Sequence, residues 1–409
     1  MTKPSSALIL SDAFLCSFIW SGCGYYAFSL FVNPLQGSFG WERSAVMAAL
    51  TIASVLSGLL SPLAGTIVHR WGAKNVIVIG ALVFGAGMFG LSTINSLVEF
   101  YLYSALMGVG MTGIGPIPAS TIVTQHFHER RGHAIGIMAA GIGLGGLILS
   151  PLIGGLLIPS FGWRASYIIL AAFSVLALIP VTLLALRSKE TPAVPAGEPE
   201  LQPHVSLSGF TLRQSLSTPA FWLIMAVVFL LQVSQAGAIQ NQVPYMNDLG
   251  YPVALASLCL GIIGLMSAVG KYVFGWLCDR IRANHASVVG MALQISGILL
   301  LINLTPASPG SMAITYALVL GFGTGSWLPT MSMMVSENFG AREYARIFGA
   351  VSLSQALGNG LGPLLTSMVF DFTGDYKIAF FCLLALYVIS APAALSIKKI
   401  YAVPDAKTR

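Results

Sequence analysis

Gly65-Thr66-Ile67-Val68-His69-Arg70-Trp71-Gly72-Ala73-Lys74 is a short basic turn between two long apolar runs. It returns, altered, 210 residues later as Gly275-Trp276-Leu277-Cys278-Asp279-Arg280-Ile281-Arg282. Two more landmarks keep nearly the same offset. Gly108-Val109-Gly110 recurs as Gly321-Phe322-Gly323, and Phe127-x-x-Arg130 as Phe339-x-x-Arg342, 212 or 213 residues on. A chain of 409 residues that repeats its landmarks at about half its length is built of two like halves.

The runs around these turns decide the solvent. The chain is 56% hydrophobic and 8% charged, whereas soluble domains carry about 25% charged residues. No water-soluble core hides that much apolar surface, so the bilayer is the expected partner. The 44 glycines suit close helix packing in lipid. A net charge of +6 raises the question of nucleic acid. The basic residues are spread over short loops and form no patch, so nucleic-acid binding is excluded. Cys16, Cys23, Cys259, Cys278 and Cys382 lie in or beside apolar segments without metal spacing, and read as small packers. No cofactor or metal is expected, and no cleavable signal is evident, since the first apolar run is long and more spans follow.

A span needs about 20 apolar residues. Twelve are predicted, near 8–35, 44–68, 75–95, 98–125, 132–158, 163–186, 218–246, 252–277, 286–304, 311–337, 344–370 and 376–397. The fold class is therefore an all-α membrane protein of two six-helix bundles. The expected organisation is residues 1–186, a polar Pro-rich linker at 187–217 with little helix, and residues 218–409 with a short tail. Sixteen of the 20 Lys and Arg fall on the side of the termini. Arg43, Arg164 and Lys377 fall opposite, and Lys271 lies inside a span. Basic loops stay cytoplasmic, so both termini are expected inside the cell, in the inner (plasma) membrane.

The loop pattern G-x-x-x-D-R-x-G-x-[RK] resembles the signature of the major facilitator superfamily, and the resemblance covers the whole chain. It implies two pseudo-symmetric six-helix bundles, alternating access and function as a monomer. It also implies a cytoplasmic gate, built here from Gly65, Arg70, Asp279 and Arg280, with Arg130 and Arg131 of the turn before the fifth span. The glycine permits close helix approach, and the charges can latch neighbouring helix ends. The alternative is that they only enforce topology. The first copy has His69 at the acidic position, and the second lacks the later glycine, so the first latch is expected to be weaker or pH-sensitive.

Within the superfamily, HFHERRGHAIGIMAAG at 126–141 resembles the fifth-helix signature of monocarboxylate transporters, with Phe127, Arg130, Arg131, Ala134, Gly136, Ala140 and Gly141 matching and His126, Glu129, His133 and Met138 departing. Asn241-Gln242-Val243-Pro244-Tyr245 resembles the Q-S-V-P-Y of oxalate/formate exchangers, and Lys271-Tyr272-Val273-Phe274-Gly275 stands where both families carry R-P-x-x-G. Tyr25-Tyr26-Ala27-Phe28-Ser29 resembles bacterial members, and the acidic first-helix motif of animal transporters is absent.

Lys271 lies about 12 Å inside the membrane from Asp279, at 1.5 Å per residue. Charges so deep usually face a cavity and have a function. The alternative is a stem that snorkels to the interface. Lys271 aligns with the families' anion-binding Arg, and no acid stands within a turn inward of it. It is the expected anion site. The exchangers' second cation is replaced by Ser352, so one carboxylate is expected rather than two. The resemblance also implies proton coupling. The animal relatives' helix-8 Asp is Ser267 here, and a lysine, unlike an arginine, can release its proton, so Lys271 is the expected proton-coupling residue too. Tyr25, Tyr26, Asn241, Gln242, Phe322 and Ser326 complete the expected substrate site, with packing or interhelical bonding as the alternative for each. Ser352, Gln355 and Asn359 share one helical face, a pattern read as packing.

The partners expected are thus a small carboxylate, protons and lipid. The rivals are carboxylate exchange with Lys271 always charged and a drug/proton antiporter, the latter from Ser150-Pro151-Leu152-Ile153-Gly154-Gly155; against the antiporter, Ser104 stands where such exporters carry Arg. No buried catalytic constellation appears, so an enzyme is not expected.

Overall fold

The computed structural model describes residues 6–127, 131–186, 209–340 and 342–397. Among the described residues, twelve long helices follow one another: α1 (Ser6–Phe39), α2 (Arg43–Trp71), α3 (Ala73–Thr93), α4 (Leu97–His126), α5 (131–161), α6 (163–185), α7 (Pro219–Asp248), α8 (Val253–Cys278), α9 (Ala283–Ile302), α10 (Gly310–Phe339), α11 (Tyr344–Thr373) and α12 (Tyr376–Ser396). The predicted spans agree with them to within four residues at each end. An even number of crossings puts the first and last described residues on one side, here the terminal face; the other is the far face.

The helix ends follow from local chemistry. Ser96, Thr218 and Asp375 cap α4, α7 and α12 by accepting backbone N–H groups. Gly162, at φ 77°, turns the chain between α5 and α6, a conformation costly to any residue with a Cβ. Large apolar side chains such as Phe89, Leu102, Leu176 and Val388 point outward, as lipid requires.

Three features depart from twelve plain spans. α4 breaks at Gly115, ahead of Pro116, and α10 breaks between Thr324 and Trp327, ahead of Pro329. Neither proline has an N–H for the carbonyl four residues back. The two prolines stand 213 residues apart, the offset of the sequence repeat. π turns interrupt α1 at Trp20–Tyr26 and α5 at Ile153–Leu157. Part of the expected linker is also helical: Leu212–Leu216 forms a turn with a Thr211/Gln214 capping box, and Leu212 N–H donates to Glu343 at 2.8 Å. Residues 187–208 lie outside the described residues.

Glycines set the spacing within each half, and they do it twice. A Cβ at Gly110 would stand 2.3 Å from the backbone N of Phe84, joining α4 to α3; one at Gly297 would stand 2.7 Å from Leu320, joining α9 to α10. Gly22 meets Gly145 between α1 and α5, and Gly237 meets Gly362 between α7 and α11. Across the halves, α2 pairs with α11 and α5 with α8.

Candidate functional site

The seam between the halves closes on one side only. On α8, Ser257, Gly261, Gly264, Ala268, Lys271 and Gly275 share a stripe at three- and four-residue spacing. Its far part packs on α5. Ser257 meets Gly154, Gly261 meets Leu147, Gly264 meets Gly143 and Gly146, and Ala268 meets Gly143. Lys271 follows one turn closer to the terminal face, where the contact ends. Among the described residues, nothing lies within 4 Å of where a Cβ would stand at Gly275 on α8 or Gly136 on α5. The α2/α11 pair behaves alike. Gly58 packs on Ala356 and Gly360 on Val55, but Gly65 and Gly349 meet nothing within 4 Å. The molecule is therefore open toward the terminal face, and the Lys271 stripe lines the opening.

Lys271 Nζ donates to Ser267 Oγ at 3.3 Å. Ser267 lies one turn farther from the terminal face, so the ammonium is directed into the bilayer. A snorkelling lysine would reach the opposite way. The ion pairs among the described residues are Arg43–Asp248 and Arg346–Glu343, so no carboxylate neutralises Lys271. On the adjoining face of α8, the Phe322 carbonyl of α10 abuts Gly270, and the Phe322 ring lies 5.9 Å from that of Phe274.

The π turn of α1 delivers two tyrosines to the roof of this opening. Tyr26 packs on Gly146 of α5 and Gly264 of α8. Tyr25 sits edge-on to it, ring centroids 5.2 Å apart. The Tyr25 hydroxyl donates to Asn359 Oδ1 of α11 at 3.0 Å. From there to the far face the halves are tied by hydrogen bonds. Gln240 Nε2 donates to the Tyr25 carbonyl at 3.0 Å, Ser29 Oγ to the Gln240 carbonyl at 2.6 Å, and Thr51 Oγ1 to the Gly360 carbonyl at 2.7 Å.

Arg43 closes the far end. Its guanidinium binds Asp248 of α7 through both nitrogens, at 2.6 and 2.7 Å, and Gln36 Oε1 through Nε at 2.9 Å. It lies over the Phe370 ring, 4.2 Å from the centroid. Asp371 of α11 accepts the backbone N–H groups of Arg43 and Ser44, at 3.3 and 2.8 Å. One residue thus fastens α2 to both α7 and α11.

The other expected site residues fall in several places. Asn241 is fully buried and spends its amide on α7, α11 and α12, with partners Gly237, Pro363, Ser367 and Tyr376. Gln242 is also fully buried, and neither end of its amide has a partner among the described residues. Ser326 is buried against Gly290 of α9, inside the second half. Of the expected gate, Arg70, Asp279 and Arg280 are exposed at the terminal face and make no ion pair among the described residues, and Arg280 lies 3.6 Å over the Trp276 ring. Gly65 faces open space; Arg130 and the Arg131 side chain lie outside the described residues. Asp12 is buried between α1 and α6, where Thr182 donates to its Oδ1 at 2.7 Å, and Glu99 sits at the far face, accepting from the Asn95 N–H. Among the described residues, no three His, Cys, Asp or Glu side chains gather as a metal site would need.

Sequence reasoning missed the Arg43 seal and Asn359. Arg43 looked like one more loop charge. Its signal was the pair of acids, Asp248 and Asp371, at the matching ends of two other spans.

The family model for the Major Facilitator Superfamily matches residues 13–363 and 237–406. The chain belongs to the major facilitator superfamily. Among its curated relatives are human monocarboxylate transporter 11, 27% identical over 83% of this chain and 71% of its own, and the oxalate:formate antiporter of Oxalobacter formigenes, 26% identical over 84% and 81%. A solved structure of a bacterial homolog of the human lysosomal transporter Spinster, inward-facing and occupied, superposes with a TM-score of 0.77 at 17% identity, covering 98% of each chain. That likeness shows the fold alone. The relatives are membrane transporters, and the transporter described here shares their twelve-helix fold.

Proposed function

We propose that this transporter carries a small organic anion, a monocarboxylate of the lactate or pyruvate kind together with a proton, by alternating access. The observation that supports this most is Lys271: a cation on the seam, aimed into the bilayer, with no carboxylate partner. Leaving such a charge unneutralised in the membrane costs about 2.5–3.5 kcal/mol or more. A substrate carboxylate supplies the missing charge, and Tyr26 and Phe322 supply apolar surface beside it. The curated relatives, a monocarboxylate transporter and an oxalate:formate antiporter by name, agree with an anion. Because a lysine can give up its proton, proton and anion can load as a neutral pair and cross at little desolvation cost.

In this reading the terminal face is cytoplasmic, the membrane is the bacterial inner membrane, and the protein works as a monomer. Residues 1–186 and 218–409 act as the two rocking bodies, and 187–217 tethers them. Arg70, Asp279, Arg280, Arg130 and Arg131 meet only when the cytoplasmic side closes.

The second reading is carboxylate exchange with Lys271 always charged, favoured by the likeness to the antiporter. Uptake into proteoliposomes, with and without an inward proton gradient and with the membrane potential clamped, separates the two. Symport predicts a gradient-dependent rate and accumulation. Dependence on internal carboxylate, with no effect of the gradient, gives exchange. Uptake of a cationic drug against protons, with no carboxylate transport, gives the antiporter of the same superfamily.

A further inference from the structure

The opening has a second polar wall besides Lys271. On α11, Ala356 and Gly360 face α2, while Gly358 and Gly362 face α7. Ser352, Gln355 and Asn359 occupy the stripe between those faces, which points to α1 and the interior of the molecule. All three are only half-buried. Asn359 is the deepest, level with Tyr25, where the seam begins to close.

The amide of Asn359 is oriented. Its Oδ1 accepts the Tyr25 hydroxyl at 3.0 Å. Its Nδ2 has no hydrogen-bond partner among the described residues. With the carbonyl engaged by α1, the two N–H donors are left for whatever fills the opening below. They are neutral donors, and they sit seven residues along α11 from Ser352, in a wall with no second cation.

We propose that Asn359 is a specificity-determining residue, held in place by Tyr25, that donates a hydrogen bond to a neutral oxygen beside the substrate's carboxylate. This rests on the anion-transport reading and deepens it. The favoured substrate is a short monocarboxylate with a hydroxyl or keto oxygen near the carboxyl group. Lys271 takes the charge and Asn359 reads the neutral oxygen. An unsubstituted carboxylate leaves the Asn359 donors unpaired, and a dicarboxylate places its second charge where no cation answers it. A single such hydrogen bond gives roughly tenfold discrimination.

The probes are 2-hydroxypropanoate and propanoate, which differ by the one hydroxyl. Both are measured as kcat/KM for uptake in proteoliposomes by the wild type and by Asn359→Leu, Asn359→Asp and Tyr25→Phe. The wild type is expected to prefer the hydroxy acid about tenfold. Asn359→Leu should reduce that preference to near unity, mainly by raising KM for the hydroxy acid. Tyr25→Phe should reduce it in part. Asn359→Asp is the decisive variant. It can still accept the Tyr25 hydroxyl, so the seam is kept, but it has lost both donors and gained a charge. It should lose the preference and transport both acids poorly. A purely structural Asn359 would leave Asn359→Asp with the wild-type ratio whatever the added charge does to the rate, and that result overturns the proposal. So does a wild type that transports both acids equally well. A wild type that transports neither acid, nor any other carboxylate, overturns the anion reading itself.

Discussion

Two cations lie at the seam in opposite surroundings. Lys271 is unpaired and faces the opening; Arg43 is bound by Asp248, Gln36 and an aromatic face. Lys271→Ala is expected to abolish carboxylate uptake while the protein still inserts. Lys271→Arg should retain part of the binding but lose coupling to protons, since a guanidinium keeps its charge. Near-normal uptake by a stably inserted Lys271→Ala variant would remove it from the site. Arg43→Gln should leave binding from the terminal face intact and loosen the far seal. Charged hydrogen bonds of this kind contribute about 1.5–3 kcal/mol each. Their loss should shift the resting population tenfold or more toward far-side opening. Spin labels at Ser38 and Phe372, exposed at the far ends of the two halves, report it as a longer distance in Arg43→Gln. An unchanged distance distribution means that the seal does not depend on Arg43.

At the level of the helix, glycines do two jobs that the sequence pattern alone cannot tell apart. Gly110 fills a contact in which a Cβ would stand 2.3 Å from the Phe84 backbone. Gly65 belongs to the signature turn and meets nothing within 4 Å in this state. Gly110→Leu is therefore expected to prevent stable insertion, because overpacking against backbone cannot relax. Gly65→Leu should insert and fold normally, with a midpoint of thermal unfolding close to wild type, yet transport slowly because the terminal side cannot close. A Gly65→Leu protein with wild-type turnover would show that α2 does not approach a neighbour there during the cycle.

The same comparison shows what could be read in advance. Span positions followed from runs of apolar residues, and the repeat from the Gly65 and Gly275 turns. The breaks in α4 and α10 were visible too, as Pro116 and Pro329 at the repeat offset. They passed unnoticed because a proline in a membrane helix kinks or breaks it according to its neighbours. Which amides face the opening was not legible. Asn241 and Asn359 are the same residue type on facing helices, but one is enclosed by four partners and the other keeps its donors free. Only the packing angles of α7 and α11 decide between them.

The molecule as a whole is held in one state by an unequal seam. From Tyr25 to Arg43 the halves are joined by hydrogen bonds and an ion pair; at the terminal end Gly65, Gly136, Gly275 and Gly349 face space. A membrane-impermeant maleimide applied to the terminal face should thus label cysteines placed at Gly65 or Gly349 in a Cys382→Ser background. Four of the five native cysteines are buried, so the background should be low. Substrate that drives closure should slow the labelling. Rapid labelling at Ser29, on the sealed side, would contradict the state described here.

The matched breaks at Pro116 and Pro329 also date the parts of the machine. A feature kept at one offset in both halves was present before the chain was doubled. The broken fourth helix therefore belongs to the plan that the two halves share. Arg43 has no basic counterpart near Ala254, and Lys271 has none near Ser61. A symmetric pair would have held either no such charge or two facing each other. Arg43 and Lys271 thus mark places where the two halves have diverged, which is possible only because both lie in a single chain.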